Sequence, residues 1–168
     1  MRRGGGFSVI AAAAMAMTIG SAQAREAVPF DLSIAPGTIV VKSSERRLYL
    51  VTDSGSAIRY PVAVGRVGKQ WSGAAYIAGK YVNPAWSPPD EIRHDNPKLP
   101  SVIPGGTKGN PMGTRALVLD RGQYAIHGTN KPSSIGTFAS YGCIRMHNAD
   151  IQDLYERVGV GTPIVVMR

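Results

Sequence analysis

The sequence predicts a mostly-β domain. Short β-branched runs recur along the chain, glycine and proline punctuate them frequently, and sustained helical periodicity is confined to one stretch near the C-terminus. Arg2 and Arg3, the apolar run from Phe7 to Ile19 and the small-x-small triplet Ala22-Gln23-Ala24 predict a signal peptide over residues 1–24, exported by the general secretory route and cleaved after Ala24. The run is too short for a spanning helix, so no membrane span is expected after cleavage. About 140 residues then remain, enough for one domain with a real core and too few for two. Loss of Arg2 and Arg3 takes the formal charge from +8 to +6. Lys and Arg do not cluster with interleaved aromatics, which argues against nucleic acid as a partner. An anionic envelope polymer and a merely solubilising charged surface both fit this charge.

Residues 25–36 read as a linker and 37–168 as the domain. Thr38–Lys42, Arg47–Val51 and Ile58–Val64 are three expected strands, with turn chemistry at Asp53-Ser54-Gly55-Ser56, forming one wall of a sandwich or barrel. Gly65 to Gly79 is less legible, with a strand resuming over Tyr76–Tyr81. Asn83 to Arg115 carries seven of the twelve prolines and predicts a long semi-rigid loop covering a substrate groove. Within it, Trp86 is placed either against a ligand or over the core edge, and His94 in solvent. Ala116–Leu119 and Tyr124–His127 are two further strands around the turn Asp120–Gln123, which puts His127 at a strand end with a fixed direction. Ile151, Leu154, Tyr155 and Val158 recur at helical spacing, with Asn148 as the cap and Gly159 as the stop. Thr162–Val166 closes the domain as a strand.

The chemistry concentrates in Ala125-Ile126-His127-Gly128-Thr129-Asn130 and Ala139-Ser140-Tyr141-Gly142-Cys143-Ile144-Arg145-Met146. These two runs bring the only cysteine within sixteen positions of a histidine. A lone cysteine in an exported chain is an inert buried thiol, half of an intermolecular bridge, or a nucleophile. Ser140 and Gly142 favour the last, because a tight turn aims a thiol and neighbouring N–H groups at one point. A thiol is only slightly ionised at neutral pH, so a neighbouring imidazole that takes its proton makes His127 the candidate partner. Arg145 either binds a substrate carboxylate or braces the loop. His147 reads as a surface residue before the helix. No spacing among His94, His127, His147 and Cys143 matches a zinc pattern.

His-Gly-Thr-Asn followed by Ser-x-Gly-Cys-Ile-Arg-Met resembles the signature of the L,D-transpeptidase catalytic domain family, also called the YkuD or ErfK family. The Arg-Leu-Tyr-Leu run of the second strand and the Asn-Pro-x-Gly-Thr-Arg-Ala run before Leu117 are similar to the family's as well. Two departures stand out. Tyr141 occupies a position where the family usually has histidine, and Lys69–Ala74 replaces a common Thr-Pro-Thr-Gly turn.

The resemblance implies an L,D-transpeptidase-like β-sandwich with one short C-terminal helix and the Pro-rich loop over the active site. It implies Cys143 as the thiol nucleophile and His127 as its base, with the imidazole oriented by the Gly128 carbonyl. Ser140, Tyr141 and Gly142 would form the active-site turn, with the N–H groups of residues 141–143 as the oxyanion hole, and Arg145, Thr129 and Asn130 would bind substrate. The implied reaction is acyl transfer on peptidoglycan stem peptides in the periplasm or another extracytoplasmic space. The third stem residue acylates Cys143 with loss of D-alanine and passes to an amine, giving a cross-link or an anchored envelope protein. No metal or organic cofactor is called for. A hydrolase working through the same thioester, and a non-catalytic peptidoglycan-binding module owing to Tyr141, are the alternatives.

Overall fold

The computed structural model describes residues 25–30, 33–53 and 55–168, so the expected leader over residues 1–24 lies outside the described residues. Strands β2 (Ile39–Lys42), β3 (Arg47–Asp53) and β4 (Ser56–Gly65) form the expected antiparallel meander. β5 (Gly73–Val82), β6 (Arg115–Leu119) and β7 (Ala125–His127) form a second one, and β10 (Pro163–Met167) joins the two by pairing parallel to β2 and antiparallel to β5. Two three-residue strands flank the cysteine, β8 (Phe138–Ser140) and β9 (Ile144–Met146). β9 lies parallel to β7 and antiparallel to β4, where Val62 meets Met146 and Ala63 meets Arg145. That last pairing closes the circuit β4-β3-β2-β10-β5-β6-β7-β9 into one eight-stranded, barrel-like ring, which is how the expected sandwich is realised.

Alternation along the strands fills the ring. Leu48, Leu50, Tyr60, Val62, Ile77, Leu117, Ile126, Ile144, Met146 and Ile164 all enter one buried cluster. Helix α2 (Asn148–Arg157) adds Ile151 and Leu154 to it, as its periodicity predicts. Each such side chain contributes about 1.5–3 kcal/mol by leaving water.

The segment expected to be a linker is partly structured. β1 (Glu26–Pro29) pairs antiparallel with the first half of β4. The cause lies in β3, whose outward residues Tyr49 and Val51 are themselves apolar and need cover. Val28, Phe30 and Ile34 supply it, with Phe30 tilted against Tyr49 at 5.0 Å. The Pro-rich stretch also differs from expectation, since it holds a short helix, α1 (Asp90–Asp95), none of whose residues is buried. Pro89 sets the backbone just before it and two acidic residues occupy its first turn. Among the described residues no helix is long and apolar enough to cross a membrane.

Candidate active site

β7 and β9 run side by side, with Ile126 opposite Ile144 and His127 opposite Arg145. Ile126 and Ile144 point into the core, so alternation turns His127 and Arg145 to the outer face. Cys143 stands one step before β9 and two residues from Arg145, on that same face. The ladder thus gathers cysteine, histidine and arginine from two short strands.

His127 is buried, and its Nδ1 lies 2.7 Å from the Gly128 carbonyl oxygen. A carbonyl only accepts, so Nδ1 carries the proton and Nε2 is left with a free lone pair. Burial first, then the charge of Arg145, hold the imidazole down to about pKa 4, against the opposing pull of the Gly128 and Pro111 carbonyls. The ring is therefore neutral at physiological pH.

Cys143 is half-buried, and its Sγ–H points at the Gln123 carbonyl, 3.8 Å away. Burial pushes the thiol above its ordinary range, while the Ala125 N–H and the Arg145 charge draw it back. No hydrogen bond joins Cys143 to His127 among the described residues. Arg145 is half-buried, with its Nε buried and unpartnered among the described residues. Among the described residues no acidic side chain forms a salt bridge with it.

The turn before Cys143 is tightly held. Ser140 Oγ donates to the Cys143 carbonyl at 2.5 Å and accepts the Gly142 N–H at 3.1 Å. Gly142 takes φ +122°, and a Cβ there would overlap the Tyr124 ring, so glycine is required twice over. The indole N–H of Trp71 donates to the Gly142 carbonyl at 2.9 Å. Because Ser140 occupies the Gly142 N–H, the expected oxyanion hole of three N–H groups shrinks to Tyr141 and Cys143, neither of which has an acceptor among the described residues.

Tyr141 is half-buried, and its hydroxyl donates to the Asp95 carboxylate on α1, which raises its pKa. Arg66 completes this cluster, 3.1 Å from Asp95 and 3.9 Å over the Tyr141 ring. The phenol is thus committed to a loop contact and does not serve as a base.

Thr129 and Asn130 are engaged in loop contacts. Thr129 is buried, and its Oγ1 accepts the Lys131 N–H at 3.0 Å. Asn130 donates to the Lys108 and Gly109 carbonyls. Both line a cavity of about 490 Å³ whose walls include Asn110, Asn148 and Lys108 but neither His127 nor Cys143. Their hydrogen bonds hold loops together.

Asn148 is a functional neighbour that sequence reasoning cast only as a helix cap. The cap is His147, and no side chain caps the helix. Asn148 Oδ1 instead accepts the N–H groups of Thr114 and Thr129 at 3.2 and 3.1 Å, and Nδ2 donates to the Thr129 carbonyl at 3.0 Å. It pins the end of the Pro-rich segment to the loop after His127. Trp86 lines a smaller cavity of about 340 Å³ with Met112, Gln123 and Tyr124. Among the described residues no three metal-ligating side chains converge.

A family model described as the L,D-transpeptidase catalytic domain matches residues 36–166. The chain belongs to that family. It is 39% identical over 135 residues to the probable L,D-transpeptidase YbiS of Escherichia coli K12, covering 75% of this chain and 43% of that one. It thus spans less than half the length of that curated relative. A crystal structure from Brucella melitensis described as a probable carnitine operon oxidoreductase CaiA is 40% identical, with a TM-score of 0.58 over 89% of this chain and 96% of that one. The catalytic domain of the Enterococcus faecium L,D-transpeptidase acylated by ertapenem shares the fold at 18% identity, with a TM-score of 0.59 over 77% of this chain and 95% of that one.

Proposed function

We propose that this L,D-transpeptidase domain transfers acyl groups through Cys143 on peptidoglycan stem peptides outside the cytoplasm. The observation that carries the reading is the β7–β9 ladder, which sets a neutral, tautomer-fixed imidazole and an unpaired guanidinium on the same face as the single thiol. In the first step His127 Nε2 takes the Sγ proton, and sulfur bonds to the carbonyl carbon of the third stem residue. The negative oxygen that develops is met by the free N–H groups of Tyr141 and Cys143. The C–N bond to D-alanine then breaks, and its nitrogen leaves with the proton from His127. In the second step an amine attacks the thioester carbon, the C–S bond breaks and the thiol is restored. Arg145 holds a substrate carboxylate beside the thiol, and its charge stabilises the thiolate as the proton leaves. The Pro-rich segment, reaching the site through Asp95 and Pro111, shields the thioester from water so that the amine acceptor wins.

The oxidoreductase name of the Brucella protein is not carried over to this chain, whose sequence holds no Gly-x-Gly-x-x-Gly fingerprint. The test is intact mass of residues 25–168 after incubation with a stem tetrapeptide or with ertapenem, beside Cys143→Ala. An adduct on the wild type alone, with release of D-alanine and a new dimer, is the expected result. D-alanine release without any dimer supports the hydrolase, and absence of both adduct and release refutes thiol acylation.

A further inference from the structure

We infer that Trp71 is a positioning residue for the acyl-transfer step, holding the peptide between Gly142 and Cys143 so that the Cys143 N–H faces the developing oxyanion. This rests on the reading of Cys143 as the acylated nucleophile. A trans peptide directs its C=O and its N–H to opposite sides. The Gly142 carbonyl is anchored on the core side by the Trp71 Nε1–H at 2.9 Å, so the Cys143 N–H is turned outward, to the side from which substrate approaches. The orientation matters because the neighbouring Gly142 N–H is spent on Ser140, leaving the Cys143 N–H as one of two free donors in the turn.

The indole is itself immobilised. Trp71 is 8% exposed and belongs to the main core cluster. Its ring stacks on Tyr124, with centroids 5.2 Å apart and planes 3° from parallel, and the Arg121 guanidinium lies over it at 5.0 Å. Tyr124 in turn fills the space that a Cβ on Gly142 would need. Trp71, Tyr124 and Gly142 therefore form one packed unit beneath the nucleophile. The indole N–H adds to it a direction that packing alone does not supply. A peptide free to rock by tens of degrees would still carry the thiol, but it would lose alignment with an oxygen that becomes charged only in the transition state.

This separates two reactions of the same sulfur. Acylation builds an oxyanion, whereas alkylation by iodoacetamide displaces iodide at a saturated carbon and builds none. Trp71→Phe keeps an aromatic ring in the stack and removes the N–H. Replacing Trp71 with 3-benzothienylalanine preserves the ring shape as well, and it decides the matter if the phenylalanine variant folds poorly. Acylation by ertapenem is expected to slow at least about tenfold in both, while alkylation by iodoacetamide stays within about twofold of wild type. Equal slowing of both reactions, or no slowing of acylation in the benzothienyl protein, overturns the role for Trp71 and leaves the acylation reading intact. A wild-type protein that is alkylated but never acylated overturns both.

Discussion

Cys143 and His127 rest as two neutral groups. Burial raises the thiol and depresses the imidazole, and the Arg145 charge, although it helps the thiolate, further disfavours a charged imidazole. An ion pair of thiolate and imidazolium is thus discouraged from both ends, and the proposed reaction would move the proton only as the sulfur attacks. The pH dependence of Cys143 alkylation by iodoacetamide checks this. The rate should climb with pH through and beyond the ordinary thiol value of about 8.5, with no plateau on the acid side. A flat rate across the range of about pH 5–7 would reveal a preformed ion pair instead.

At this scale the sequence was informative about the candidate motif residues and much less so about their supports. His127, Gly128, Ser140, Gly142 and Cys143 announce themselves by type and spacing. Asn148 does not, because an asparagine before an apolar periodic run looks like a helix cap whatever its amide does. A signal was present in the paired dipeptides Gly113-Thr114 and Gly128-Thr129. Both threonine N–H groups reach the same Asn148 oxygen, and a Cβ on either glycine would overlap it. Trp71 carried no comparable signal, since its hydrogen bond spans 71 positions of sequence.

Among the elements, α1 is attached to the barrel unlike any other. It buries no residue, and its hold on the site runs through Asp95, with Tyr141 and Arg66, and through the Lys69–Glu91 ion pair. Arg66 and Lys69 come from the stretch just after β4, so the helix is moored to the connection between β4 and β5. The sequence could not show this, because a six-residue helix in a proline-rich stretch has too few turns to display periodicity. Exposed ion pairs are screened by salt, and the screening length falls from about 10 Å at 0.1 M to about 3 Å at 1 M. Amide exchange in Asp90–Asp95 should therefore quicken between those two salt concentrations, while exchange in β2 and β10 stays fixed. In Asp95→Asn with Glu91→Gln the fast exchange should already be present at low salt. Salt-independent exchange in the wild type would mean that packing, not charge, holds the helix.

Closure of the ring is the feature of the whole molecule that sequence patterning concealed. Strands β2 to β7 and β10 follow from alternation and turn residues, but β8 and β9, three residues each, flank Cys143 within the candidate motif and were not expected. Their pairing with β4 and β7 is non-local, and no run of three residues specifies such a partner. The same closure buries His127 and so couples the site to global stability. The folded protein holds this imidazole at about pKa 4, whereas the unfolded chain offers it at about 6.5. As pH falls below the unfolded value, the unfolded state takes up a proton that the fold refuses. The stability contributed by the neutral ring is therefore complete above about pH 6.5 and is lost progressively toward pH 4. At pH 4.5 the loss amounts to about 2–3 kcal/mol. Asp150, whose carboxyl burial raises, acts in the opposite sense, since the fold holds its proton more firmly than the unfolded chain does. It is common to any His127 variant and cancels in a comparison. Urea unfolding of the wild type and of His127→Gln at about pH 7.5 and 4.5 isolates the histidine, because only the wild type carries the refused proton. The wild type should lose about 2–3 kcal/mol more than the variant across that interval. Parallel losses in the two proteins would mean that the imidazole titrates freely in the fold, near its ordinary value of about 6.5, and that burial does not hold it neutral below that pH.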